Sequence, residues 1–243
     1  MDYFKFDTHM HFDLFKDRQK VIDYCNNNRI YTIAVTNLPN LYEKYYNQNI
    51  QSKYLKIALG FHPELVSEYK TQIKKFDQYA ATTKYIGEVG LDYSSNDNEN
   101  RNDQKNIFDR ILQTCNTYGD KVLTVHSRKA ENDVLSILEN NPNKIIMHWF
   151  SGSLKQQELA LSNGYYFSIN HQMLQSKNGR RIIDSIPIER ILIESDAPFT
   201  NGFDMSYNVD FMSNIYDYLS ITRHIEILEL SIILKNNFKR LLL

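Results

Sequence analysis

Short apolar runs rich in β-branched residues recur along this chain, and amphipathic stretches with mostly polar outer faces separate them. Tyr3-Phe4-Lys5-Phe6 alternates and predicts a first strand, which closes on Asp7-Thr8-His9-Met10-His11. Residues 20–25 predict a short helix stopped by Asn26-Asn27-Asn28. Ile30-Tyr31-Thr32-Ile33-Ala34-Val35-Thr36 is a continuous β-rich run, the pattern of a strand covered on both faces. Residues 41–49 read as helix, 55–60 as the third strand, and 64–80 as one long helix with a polar face. The fourth strand and its exit span 84–92, and 96–102 reads as a polar loop rich in breakers.

The second half repeats the alternation. Ile107, Phe108, Ile111, Leu112 and Cys115 form a helical stripe that Gly119 ends. Strand five, 121–125, runs into His126-Ser127-Arg128. A helix around Val134, Leu135 and Leu138 stops at Asn140-Asn141-Pro142. Strand six, 144–147, ends in His148-Trp149-Phe150-Ser151-Gly152. A helix over 154–162, strand seven over 165–169, a helix over 179–185 and strand eight over 190–194 follow. Residues 207–219 and 225–243 predict helices packed on the outside.

Strand and helix alternate with no linker, shift in composition or low-complexity tract, which predicts one α/β domain, residues 1–243, with a parallel sheet. Roughly eight strand–helix units in roughly 250 residues fit a closed (β/α)8 TIM barrel. An open doubly wound sheet is the alternative, but its Gly-rich turn after strand one is missing, and Asp7-Thr8-His9 stands there instead.

Net charge is −1 and the pI about 6.7, so a nucleic acid would have to be gripped locally or through bound metal rather than by bulk charge. Cys25 and Cys115 lie in predicted helices among apolar neighbours, as buried free thiols do. No stretch approaches the ~20 apolar residues of a membrane span, and the N-terminus lacks a signal-peptide pattern. Together these predict a cytoplasmic protein.

The chemistry gathers at the predicted strand exits. His9 and His11, two apart on a strand, point to one face and can grip one cation. Glu88 exits strand four, His126 strand five, His148 strand six and Asp196 strand eight. In a barrel these exits converge on one rim, where active sites form. This donor set suits zinc, or manganese or magnesium where water and substrate oxygens complete the shell. Six candidates exceed one tetrahedral ion and suit two ions about 3.5–4 Å apart, with Glu88 as the natural bridge. Such a pair lowers the pKa of water and neutralises phosphoryl charge. Asp196 is placed to hold metal and accept the water's proton, and Arg128 to take a phosphate in a two-pronged grip. His62, after strand three, is read as touching substrate, with local capping as its alternative. Asp92 is read as near the rim, binding substrate or metal or capping the loop. Glu194 is read as orienting a histidine. His171 is a weaker site candidate, and His224 is read as plain surface.

Asp7-Thr8-His9-Met10-His11, Gly60-Phe61-His62-Pro63, Gly87-Glu88-Val89-Gly90-Leu91-Asp92, His126-Ser127-Arg128, His148-Trp149-Phe150-Ser151-Gly152 and Glu194-Ser195-Asp196-Ala197-Pro198 resemble, in order, the motifs of the TatD family of metal-dependent deoxyribonucleases. Asn236-Asn237-Phe238-Lys239-Arg240-Leu241 resembles the family's closing helix. The resemblance implies two divalent metals, one held by His9, His11, Glu88 and Asp196 and the other by Glu88, His126 and His148. It also implies hydrolysis of DNA phosphodiesters, commonly 3′ to 5′ from single-stranded ends.

A narrower resemblance is to QatD, the TatD-type component of the Qat anti-phage defence system. It rests on Ala34-Val35-Thr36-Asn37-Leu38-Pro39, His126 to Ala130, His148 to Ser153, and Phe167-Ser168-Ile169-Asn170 through Lys177. It implies other Qat proteins as partners and activity gated by them. Ser195 and Trp149 depart from the broader family's pattern, and Trp149 would narrow the pocket. Two other readings compete: a related barrel hydrolase of a small amide, lactone or nucleobase, and a non-catalytic partner-binding subunit. Glu88 stands where many of the former bridge their metals with a modified lysine, and the retained ligand set argues against the latter.

Overall fold

The computed structural model describes residues 3–50, 52–203 and 206–242; the ends of the predicted 1–243 domain lie outside the described residues. Eight strands alternate with helices: β1 Phe6–His11, α1 Arg18–Asn28, β2 Tyr31–Val35, α2 Pro39–Asn47, β3 Leu55–Ile57, α3 Val66–Tyr69, α4 Ile73–Tyr79, β4 Tyr85–Gly90, α5 Asn98–Tyr118, β5 Val122–His126, α6 Glu131–Ile137, β6 Lys144–His148, α7 Leu154–Ser162, β7 Tyr166–Ile169, α8 Lys177–Ser185, β8 Ile191–Ile193, α9 Asp210–Arg223 and α10 Ile227–Leu242. β1, β2 and β3 pair in parallel, as do β4 through β8 in chain order.

Two seams close the cylinder. Between β3 and β4, Leu59 N–H donates to the Tyr85 carbonyl at 3.0 Å and Gly87 N–H to the Leu59 carbonyl at 2.9 Å. Between β8 and β1, the Thr8 hydroxyl donates to the Ile193 carbonyl at 3.1 Å, and Asp196 N–H and His11 N–H donate to the His9 and Ala197 carbonyls at 2.9 Å each. The fold is thus the (β/α)8 barrel, not the open sheet. Its closure explains why every residue of β1 is buried: one face meets the barrel interior and the other the helices.

Two strands that carry site residues are irregular. The β1–β2 register shifts between Asp7 and Met10, and the β4–β5 register shifts between Ile86 and Val89. Such breaks re-aim side chains, and they bracket His9 and Glu88.

Three elements differ from the sequence pattern. The expected loop over 96–102 is mostly helix: Asp97 accepts N–H bonds from Glu99 (2.9 Å) and Asn100 (3.3 Å), so α5 starts two turns before its apolar stripe. Those first turns carry only polar side chains, and the one that is buried, Gln104, pairs with the Asp92 backbone, so nothing apolar marks them. The expected long helix over 64–80 is broken into α3 and α4 by a turn at Lys70–Gln72, with Val66 and Phe76 as separate buried anchors. The Asn26-Asn27-Asn28 run is the last turn of α1, which ends on Arg29 in the left-handed conformation (φ 55°).

Candidate metal centre

The barrel rim collects His9, His11, Glu88, His126, His148 and Asp196. β1 supplies His9 and His11, whose Nε2 atoms lie 3.3 Å apart. Glu88 Oε2 lies 3.2 Å from His11 Nε2 and 3.5 Å from both His9 Nε2 and His62 Nε2. Its other oxygen, Oε1, faces His126 Nδ1 at 2.5 Å and His148 Nε2 at 3.6 Å. Asp196 Oδ1 closes the β1 side, 3.3 Å from His11 Nε2 and 3.7 Å from His9 Nε2. One carboxylate therefore divides its two oxygens between two sets of imidazoles.

The donors suit cations. Glu88 Oε2 and Asp196 Oδ1 are buried without an aligned hydrogen-bond partner, and buried polar atoms of a folded protein are normally satisfied. Three triads bring their ligand atoms within reach of one ion: His9, His11 and Asp196; His9, Glu88 and His148; His62, Glu88 and His126. His62 therefore joins the cluster, which the sequence reading did not give it. Its Nδ1 also accepts the Glu64 N–H at 3.3 Å, so capping and site contact coexist.

The charges are coupled. Burial opposes ionisation of Glu88, yet the surrounding histidines hold its carboxyl well below the ordinary range. Burial would lower His11, but Asp196 and Glu88 outweigh it and hold the imidazole up to about 10. The same contest, won by Glu88 and Asp92, raises His126 to about 10. Burial wins at His9, which is lowered beside His148, and at His62, pushed down to about 4. Protons on His11 and His126 thus offset the carboxylates, and divalent cations in the same place would displace them.

Supporting contacts fix the imidazoles. Thr124 Oγ1 lies 2.6 Å from His9 Nδ1, leaving Nε2 toward the cluster. Glu194 Oε2 lies 2.9 Å from His148 Nδ1, while Oε1 accepts the Trp149 N–H at 3.1 Å and the Asn170 amide at 3.0 Å. The Ser168 hydroxyl also donates to Glu194. The orienting carboxylate expected at Glu194 is therefore in place. Asp92 Oδ2 sits 2.7 Å from His126 Nε2 and its Oδ1 accepts the Ser94 N–H at 2.7 Å, so it both steadies a histidine and ties down the loop.

Asp7 was missed as a support. Fully buried, it accepts N–H bonds from Ser195 (2.9 Å) and His9 (3.1 Å) and the Tyr207 hydroxyl (2.8 Å). Its place before His9 hinted at this, but its other partners, Ser195 and Tyr207, lie 188 and 200 residues away and leave no local signal. Thr124 was missed for the same reason.

A cleft of about 450 Å³ opens over the cluster, with His62, Asp92, Arg128, Trp149 and Phe199 among its walls. Arg128 is exposed there. His171 instead lies against Phe203 and Phe211 with Nε2 2.9 Å from the Asn201 carbonyl, and His224 is an exposed helix cap.

A closed parallel barrel with a histidine–carboxylate cluster at the carboxyl ends of its strands defines the class, a metal-site barrel of the amidohydrolase type. A sequence profile described as TatD related DNase matches residues 6–243, and the chain belongs to that family. An uncharacterized metal-dependent hydrolase of Buchnera aphidicola is 32% identical over 151 residues, 59% of this chain and 56% of that protein. A deoxyribonuclease Tat-D of Schizosaccharomyces pombe is 33% identical over 118 residues, 47% of this chain and 38% of that one. The chain spans about half the length of the curated relatives it matches. The crystal structure of YjjV, a TatD homologue of Escherichia coli, superposes with a TM-score of 0.85 at 24% identity, covering 99% of this chain and 98% of that one; this shows the fold.

Proposed function

We propose that this chain is a metal-dependent DNA phosphodiester hydrolase that trims single-stranded ends 3′ to 5′. The observation that carries this reading is the division of Glu88 between two imidazole sets, with Oε2 toward His9 and His11 and Oε1 toward His126 and His148. His9, His11, Glu88 and Asp196 would hold one divalent ion, and Glu88, His126 and His148 the other. Zinc, magnesium and manganese all suit these donors. Bound there, such ions supply an activated water and offset phosphoryl charge.

The chain's own residues do the rest. Asp196 takes the proton of the attacking water. Arg128 grips a phosphate oxygen at the mouth of the cleft, and His62 and Asp92 line the approach. Glu194 keeps His148 turned toward the cluster, and Thr124 does the same for His9. The motif run from Ala34 to Lys177 supports a role as the TatD-type subunit of a Qat-like anti-phage complex in the cytoplasm, with activity gated by partner proteins.

Purified protein incubated with single-stranded DNA labelled at either end should shorten it from the 3′ end, and EDTA should stop the reaction. Glu88→Ala should bring cleavage to background while circular dichroism shows a folded barrel. Full activity in that variant would reject the bridge, and cleavage unaffected by EDTA would reject the metals.

A further inference from the structure

The cleft has an aromatic side that the ion cluster does not use. Phe199 is 60% exposed, and its ring stands edge-on to His11 with centroids 4.8 Å apart at 90°. Single exposed apolar side chains are ordinary on protein surfaces. This one differs because it lines the same cleft as Trp149 and lies beside the site histidines. Trp149, half-buried, directly follows His148; the two rings are nearly perpendicular, 84°, with centroids 6.4 Å apart. The Trp149 backbone is held at φ 35°, in the left-handed region, and its N–H is tied to Glu194 at 3.1 Å. A bulky residue in that region is uncommon and needs its surroundings to hold it there. The backbone that carries the indole is thus held by the same carboxylate that orients His148.

We propose that Trp149 and Phe199 form a subsite that holds one nucleobase of the substrate by stacking, while Arg128 and the cluster take its phosphate. This deepens the reading of the chain as a DNA hydrolase and rests on it. The cleft's polar side, with four histidines, four carboxylates and a guanidinium, suits an anion bridged by cations. Its apolar side suits a flat ring. At about 450 Å³ the cleft is the size of a small-molecule site and takes a nucleotide unit rather than a duplex. A base must leave its partner and neighbours to offer its face to indole or phenyl, so the subsite selects single-stranded ends. Every base has a π face, so selection among bases is weak.

Trp149 is the only tryptophan in the chain, so its fluorescence reports this subsite directly. Excited at the red edge of the indole band, the magnesium-loaded protein should be quenched saturably by thymidine 5′-monophosphate. The base-free 2-deoxyribose 5-phosphate should quench little and, by calorimetry, bind roughly tenfold or more weakly. Phe199→Ala and Trp149→Leu should each erase most of that difference while leaving the sugar phosphate's affinity unchanged. Binding of thymidine monophosphate without a change in emission would overturn the proposal. So would equal affinity for the two ligands, no binding of either, or an undiminished difference in both folded variants. Quenching by the nucleotide in a protein that cleaves no DNA would sink the hydrolase reading and leave the base subsite. Cleavage without any base effect would do the reverse.

Discussion

Glu194 never reaches the cleft surface, yet it sets two groups that do. Its oxygens meet His148 Nδ1 and the Trp149 N–H, with Ser168 and Asn170 filling its remaining acceptor sites. Replacing one partner of such a carboxylate–histidine pair commonly costs about 10–100-fold in metal affinity or rate. Glu194→Gln should show that loss in metal content and turnover while keeping its fold; unchanged values in a folded variant would deny it the orienting role. A second residue-scale prediction concerns the thiols. Cys25 and Cys115 are buried, and burial pushes both up to about 12. The native protein should therefore react with a disulfide reagent at pH 8 far more slowly than the unfolded chain. Because the folded state keeps these protons after the unfolded state has lost them, their contribution to stability is full below the ordinary thiol pKa and falls as pH rises toward 12. The Cys25→Ala, Cys115→Ala double variant should lose less stability on moving from pH 8 to alkaline pH than the parent, measured by urea midpoints; equal losses would contradict this.

At the scale of elements, the apolar periodicities located all eight strands and most helices, because burial on the barrel imposes that pattern. They failed where burial does not write one. The start of α5 carries no apolar side chain; Asp97 caps it, and Asn100 and Gln104 tie it to Ser67 and Asp92 by polar contacts. Asp97→Ala should cost about 1 kcal/mol in denaturant unfolding, and a null result would show that α5 does not depend on its cap. The exits obey backbone geometry more than propensity. Gly90 has φ 138°, and a Cβ there would stand 2.1 Å from the His126 carbonyl oxygen, so only glycine lets β4 pass this close to β5. Asp196 has φ 49° at the exit of β8, a conformation costing a non-glycine residue about 1 kcal/mol or more. The strained backbone stands at the cluster, where its side chain is needed, and strand periodicity alone gives no sign of it.

At the scale of the whole molecule, closure joins residues from opposite ends of the described chain. Asp7 links β1 to Ser195 beyond β8 and to Tyr207 before α9. Asp7→Ala leaves those buried donors without their acceptor, and each costs about 1–3 kcal/mol. The urea midpoint should fall by the equivalent of roughly 3 kcal/mol or more, and a change below about 1 kcal/mol would show that the seam is held elsewhere. From the sequence alone came the strand–helix alternation, the identity of the residues at each strand exit and their convergence on one rim, since local burial and the barrel rule determine these. The sequence also offered Glu88 as a bridge and Glu194 as an orienting carboxylate; only the tertiary structure decided that His62 joins the cluster, which imidazoles each Glu88 oxygen faces, and that Asp7 and Thr124 hold the ligands in place. Those contacts join residues far apart in the chain, and no local periodicity encodes a distance that exists only once the barrel has closed.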